Sequence, residues 1–278
     1  MWYEIRIENI ERYLEEPVSD FLIRIGSSGT YSEKDVVVGY IHEKCFRKDI
    51  PEKVKAFLKR LSEDFPSLKP KISVKKIEQK DWEEKWKRFY KPIKVTEDLT
   101  IIPAWEKINK KGCIIRIDPG PAFGTGQHPT TRLCLRAIKE VPKKDDWNMI
   151  DIGTGTGILA IYGAMIGAKE VLAIDIDPIA IEWAKHNARI NSVSEKIRFS
   201  DEPLENVSGS FYIVVSNIDL DEIKRIFPHI FRISERWIIL SGILKEEERL
   251  FRSFLEEYRF SEKKISCEED WICFVLKK

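Results

Sequence analysis

A chain of 278 residues is long enough for one large domain or two ordinary ones. Apolar residues make up 43% and charged residues 33%, so a sizeable core can form beneath a solvated surface. Against 46 Asp and Glu, 47 Lys and Arg leave a net charge of +1, which excludes binding driven by a global basic field.

The longest nearly uncharged apolar run, Ile158 to Ala168, is too short to span a bilayer. Met1 to Arg6 alternates and carries charge, unlike a signal peptide. Cys45, Cys113, Cys134, Cys267 and Cys273 show no C-x-x-C spacing and are odd in number, which argues against a zinc site or a secreted disulfide framework. The chain is expected to be cytoplasmic and monomeric, with no membrane or direct nucleic-acid partner and no metal.

Residues 1–78 read as a small α+β domain. Trp2 to Ile7 alternates with period two, Val36 to Ile41 is a β-branched run, and Lys71 to Ile77 alternates again. Val18 to Ile25 is helical or irregular, Gly26 to Gly29 is a turn, and Pro51 opens a stretch with Val54, Phe57, Leu58 and Leu61 at helical spacing. Strand, helix, two strands, helix, strand is the ferredoxin-like order. Nothing in it reads as catalytic, so its expected role is substrate recognition. Residues 79–112 read as a linker. Asp81 can cap a short helix with Trp82 and Trp86 on one face, followed by an extended segment punctuated by Pro92, Pro103 and Trp105.

Residues 113–278 alternate strands and helices. Strand-like runs fall at Asn148–Ile152, Val171–Asp175, Ile197–Ser200, Tyr212–Asn217, Trp237–Ser241 and Ile272–Leu276. Helical patterns fall at Ile158–Ile166, Pro178–Ile190, Leu220–Ile226 and Glu246–Tyr258. That alternation predicts an α/β domain with a mostly parallel sheet covered on both faces, and ligands at the carboxyl ends of its strands.

Four signals sit at those ends. Asp151-Ile152-Gly153-Thr154-Gly155-Thr156-Gly157 closes one strand and opens a helix. Glycines at every second position allow a tight turn and close ligand approach. The acid ahead of Gly153 is unhelpful beside a pyrophosphate but useful beside an ammonium or sulfonium, which favours S-adenosylmethionine over NAD. Asp175, ending the next strand, can accept both ribose hydroxyls; Asp177, before Pro178, reads as a helix cap. Asp118 to Thr131 is a shaped loop with Gly120, Gly124 and Gly126, in which Thr130 or Thr131 can cap the following helix and favour an anion such as a methionyl carboxylate. His128 reads more readily as structural than as a base. Asn217 ends a buried strand, where its carbonyl can orient a substrate amine.

Together with Leu240-Ser241-Gly242-Ile243-Leu244, these segments resemble the ribosomal protein L-eleven (L11) methyltransferases, PrmA, over almost the whole chain. Phe123-Gly124-Thr125-Gly126 with His128-Pro129-Thr130-Thr131 carries most of that likeness. The resemblance implies a class I methyltransferase fold, a Rossmann-like seven-stranded sheet, with S-adenosyl-L-methionine as methyl donor and S-adenosyl-L-homocysteine as product. It implies cofactor contacts at one of Thr130 and Thr131, with Thr130 preferred, and at Gly153, Asp175 and Asn217. Asp151, Gly155, Phe123, Gly124 and Gly126 complete the expected cofactor set, with Phe123 and Asn217 also at the reaction. The implied substrate is L11, free or on the ribosome, methylated on lysine and N-terminal amines. Gln127 and Asp219 stand where the family usually has Thr and an apolar residue. The cofactor site alone would equally suit a methyltransferase acting on another protein, a small molecule or RNA.

Overall fold

The structure, a computed structural model, describes residues 1–27, 29–77, 90–108, 111–120 and 122–278. Two compact units are present, Met1–Tyr90 and Lys91–Lys278.

The first unit runs β1 (Trp2–Glu8), α1 (Glu15–Arg24), β2 (Thr30–Glu33), β3 (Val36–His42), α2 (Ile50–Asp64) and β4 (Lys71–Ile77). The strands pair antiparallel in the order β2-β3-β1-β4, the ferredoxin-like arrangement. Period-two alternation turns Ile5 and Ile7 of β1 and Val37 and Ile41 of β3 onto Val18 and Leu22 of α1 and Val54 and Leu58 of α2. The expected Trp82–Trp86 helix lies outside the described residues.

The second unit opens with a small sheet, β5 (Ile93–Lys94), β6 (Leu99–Pro103) and β7 (Cys113–Ile117), in that order. The segment expected as an extended linker thus carries two strands, because Leu99 to Pro103 is buried throughout and pairs parallel with β7. The free edge of β7 is met by side chains. Asn191 bonds both the amide (2.8 Å) and the carbonyl (2.7 Å) of Arg116, and Asn187 those of Asp118 (2.8 and 3.2 Å).

The remaining elements are α3 (Pro129–Glu140), β8 (Asn148–Ile152), α4 (Ile158–Met165), β9 (Glu170–Ile174), α5 (Pro178–Ile190), β10 (Ile197–Ser200), β11 (Phe211–Asn217), α6 (Leu220–Ile233), β12 (Ser234–Leu244), α7 (Glu248–Phe254), β13 (Glu262–Glu268) and β14 (Trp271–Lys277). Seven strands form one sheet in the order β10-β9-β8-β11-β12-β14-β13, parallel up to β12, with β14 antiparallel to both neighbours. Alternate residues serve two cores. Met149, Ile213, Val215 and Ile239 pack with α3 and α4, whereas Ile150, Val214, Ile238 and Leu240 pack with α6 and α7.

Two helix readings change, and one strand was not read from the sequence. The helix expected to end at Ile226 runs through exposed Pro228 to Ile233, because Phe227, Ile230 and Ile233 continue its apolar stripe; their burial outweighs a proline penalty of roughly 3 kcal/mol. The helix expected over Glu246–Tyr258 has an α-helical middle, α7, flanked by single 3₁₀ turns. The edge strand β13 had no apolar alternation to announce it.

Candidate active site

The strand order reverses between β8 and β11, and there a cavity of about 1000 Å³ opens at the carboxyl ends of the strands. Its walls include Gly153 and Gly155 after β8, Asp175 after β9, Asn217 ending β11, Gly242 in β12, and Phe123, His128 and Thr130 before and in α3.

The glycine loop is tied down from three sides. The amides of Gly153 and Thr154 donate to the Ile174 carbonyl, both at 2.9 Å, and the Gly155 amide donates to Asp175 Oδ2 at 2.9 Å. Asp175 Oδ1 accepts the Asp177 amide at 3.0 Å, so each carboxylate oxygen of this lining residue retains one acceptor position. The Phe123 loop docks through Thr156, whose amide donates to the Phe123 carbonyl at 2.8 Å and whose hydroxyl donates to the Gly124 carbonyl. Gly155 is required here: its φ is +52°, and a Cβ would stand 2.3 Å from the Phe123 carbonyl oxygen. Gly242 is equally constrained, at φ +91° with a Cβ position 2.1 Å from the Ile218 oxygen.

The expected site residues separate into two groups. Phe123, Thr130, Gly153, Gly155, Asp175 and Asn217 line the cavity; Asp151, Thr131, Gly124 and Gly126 do not. Asp151 was expected to face a cationic ligand, but it is fully buried beneath the loop. Its Oδ2 accepts the Thr154 hydroxyl at 2.6 Å and the Ala160 amide at 3.1 Å, while Oδ1 has no partner. Burial pushes this carboxyl up to about 7, against the pull of the two hydrogen bonds. Thr131 is also fully buried, its hydroxyl unpartnered.

The cap of α3 differs from expectation. It is His128 rather than a threonine, and its Nδ1 accepts the Thr130 amide at 3.4 Å and lies 2.7 Å from the Thr130 hydroxyl. Proline is favoured at the first helical position, and Pro129 starts the helix there. Burial, reinforced by the Arg132 guanidinium, holds the His128 imidazole below its usual range and favours the neutral ring. Asp177 caps α5 as expected, accepting the Ile179 amide at 2.8 Å.

Asp219, the departure noted at the rim, lines the cavity and also caps α6, accepting the Glu222 amide at 3.0 Å. An Asp219→Ala variant should lose roughly 1 kcal/mol, a fall in Tm of about 2–4 °C by calorimetry. Sequence reasoning missed Trp271, which lines the cavity and meets His128 edge-on at 4.8 Å; nothing around it announced a site, since its place follows only from the antiparallel insertion of β14.

The charge pattern limits what the cavity can hold. Asp175, Asp177, Glu202, Glu205, Asp219, Asp221 and Glu222 line it. Among the described lining residues Arg225 is the one Lys or Arg, and it is paired with Glu222 at 2.5 Å and Glu205 at 3.5 Å. A pyrophosphate would meet carboxylates without a free cation, whereas a nucleoside bearing a sulfonium suits this donor set. Among the described residues no His, Cys, Asp and Glu cluster could hold a metal, and no helix is long and apolar enough to cross a membrane.

Comparison with known proteins agrees with this geometry. Residues 1–278 match the family described as ribosomal protein L11 methyltransferase (PrmA). The chain is 33% identical over 312 aligned positions to a ribosomal protein L11 methyltransferase of Bacillus pumilus, covering 100% of this chain and 99% of that one. A counterpart from Caldicellulosiruptor bescii is 36% identical, with 91% of each chain covered. The crystal structure of a ribosomal protein L11 methylase from Lactobacillus delbrueckii subsp. bulgaricus superposes with a TM-score of 0.62 at 31% identity, over 67% of this chain and 98% of that one. From end to end, this chain belongs to the ribosomal protein L11 methyltransferase family.

Proposed function

We propose that this protein transfers methyl groups from S-adenosyl-L-methionine to amino groups of ribosomal protein L11, on lysine side chains and the N-terminal amine, in the cytoplasm. The observation that carries the reading is the family match over residues 1–278, which includes the small N-terminal unit as well as the cofactor-binding part. On this reading the N-terminal unit receives the ribosomal protein.

Bound in the cavity, S-adenosyl-L-methionine would supply an electrophilic methyl group on a sulfonium. Asp175 would accept the ribose hydroxyls at its two remaining acceptor positions. Thr130, at the amide end of α3, would receive the methionyl carboxylate, favoured there by the helix dipole. Gly153 and Gly155 present bare backbone to the ligand. Phe123 is 56% exposed at the mouth, suited to close over the reacting atoms and exclude water. Asp151, Thr131, Gly124 and Gly126 act one layer further out, shaping the two loops.

Asn217 would orient the substrate amine by accepting a hydrogen bond through its side-chain carbonyl. The amine must be neutral to attack, and partial desolvation of a lysine lowers its pKa toward that state. The N-terminal amine already titrates near pH 8 at about 7.7–8.0. Alignment then carries much of the rate, without a dedicated strong base.

Incubating unmodified L11 with the protein and S-adenosyl-L-methionine should give a ladder of methyl increments by intact-mass spectrometry. No increment, with cofactor binding intact, would remove L11 as the substrate. An Asn217→Ala variant should lose roughly 10²-fold in turnover at saturating substrate. Full turnover would remove Asn217 from the reaction.

A further inference from the structure

We propose that Arg132 is a positioning residue whose guanidinium ties the Phe123 loop to the hairpin carrying Trp271, and so sets the aromatic wall that Phe123, His128 and Trp271 give the cavity. The inference rests on the function proposed above only for the identity of the molecule that meets this wall.

Arg132 stands in the first turn of α3 with its side chain 14% exposed. Its guanidinium reaches two segments that are far apart in sequence. Nη1 donates to the Gly126 carbonyl at 3.3 Å and to the Gln127 carbonyl, at the outer end of the Phe123 loop. Nε donates to Glu268 Oε1 at 2.6 Å, and Nη2 lies 3.4 Å from Glu269, at the turn between β13 and β14. The second Glu268 oxygen is held by Arg136, whose Nε donates to the Val95 carbonyl at 3.1 Å. Glu269 has φ +53°, a left-handed conformation uncommon outside glycine, so the turn that delivers Trp271 depends on its neighbours to hold it.

The two segments meet in the cavity wall. Phe123 and His128 are edge-on at 5.5 Å, and His128 and Trp271 at 4.8 Å, making a continuous aromatic strip. Only a planar fork can bond two carbonyls and two carboxylates at once; a lysine ammonium at the same place keeps the charge and loses the geometry.

The Phe123 loop has a separate inner anchor at Thr156, beside the glycine loop, which Arg132 does not touch. Removing Arg132 therefore unties the outer end of the loop from the hairpin turn while the inner end stays docked, so substrate use and cofactor affinity should respond differently.

The test combines fluorine NMR with kinetics. The chain has eight tryptophans, and labelling with 5-fluorotryptophan makes each visible, with Trp271→Phe assigning the relevant line. In Arg132→Gln and in Glu268→Gln the Trp271 resonance should shift or broaden while the others hold. For Arg132→Gln, kcat/KM for L11 should fall about tenfold, chiefly through KM, while calorimetric affinity for S-adenosyl-L-methionine changes less than about threefold. Arg132→Lys should recover part of the loss.

An unmoved Trp271 line, or a loss of cofactor affinity as large as the loss of kcat/KM, would overturn the proposal. If Arg132→Gln fails to fold, Glu268→Gln and the exposed Glu269→Gln carry the same fluorine readout, and two unmoved lines would overturn it equally. If L11 proves not to be a substrate, wild type is inactive on it as well, and the fluorine and calorimetric readings still decide the role of Arg132.

Discussion

Replacing Asp175 with alanine is expected to weaken S-adenosyl-L-methionine binding roughly 10²- to 10⁴-fold, since each hydrogen bond to a charged group contributes about 1.5–3 kcal/mol and, on the proposed function, two ribose hydroxyls would lose their acceptor. The same change removes the acceptors of the Gly155 and Asp177 amides, so the glycine loop loses one of its three ties. Asp175→Asn separates these contributions. Its one oxygen can still accept, but the negative charge and one acceptor are gone, and an intermediate loss is expected. Isothermal calorimetry on both variants decides the matter, with thermal unfolding confirming that each is folded. An alanine variant binding within threefold of wild type would remove Asp175 from the cofactor site.

The second large effect concerns Asp151 and is a dependence on pH. Its carboxyl titrates near 7 in the folded chain because the group is fully buried, against an ordinary value of 3.8. An acid raised in this way imposes no penalty below the unfolded value, where both states are protonated. Between about pH 4 and 7 the unfolded chain ionises while the folded one does not, and stability falls; above pH 7 the loss is complete and flat. The difference corresponds to roughly 4 kcal/mol at most. Asp151→Asn mimics the protonated acid. Its carbonyl can take over the bonds from Thr154 and Ala160, with an unpartnered amide nitrogen costing about 1–3 kcal/mol. The variant should therefore gain on wild type steadily from pH 4 to 7 and plateau beyond. Parallel curves of Tm against pH for the two proteins would show that Asp151 is ionised throughout.

The parallel sheet was legible in the sequence because its strands are buried on both faces and read as short apolar runs such as Tyr212 to Val215. The glycine loop and Asp175 were legible because their spacing is set by one strand–helix–strand unit. What stayed hidden depends on contacts between distant segments. Asp151 reads as a ligand-facing acid from its place beside Gly153, yet strand alternation turns it inward with Met149, toward the core under α3 and α4. Trp271 belongs to the site only because the last hairpin inserts beside β12, an insertion that also brings Glu268 and Glu269 to Arg132. The α3 cap went to His128 because Pro129 fixed the helix start ahead of the threonines.

The asparagines at the border of β7 bear on how the protein avoids pairing with strands of other molecules in a crowded cell. An outer strand with vacant amides and carbonyls invites a strand from another molecule, the first step toward aggregation. Here Asn187 in the last turn of α5 and Asn191 just past its end occupy those groups at Arg116 and Asp118 as a neighbouring strand would. Asn187 also donates to the Thr156 carbonyl at 3.0 Å. The guard against strand addition is thus built into the root of the Phe123 loop, so the segment that shapes the cavity also closes the sheet border beside it.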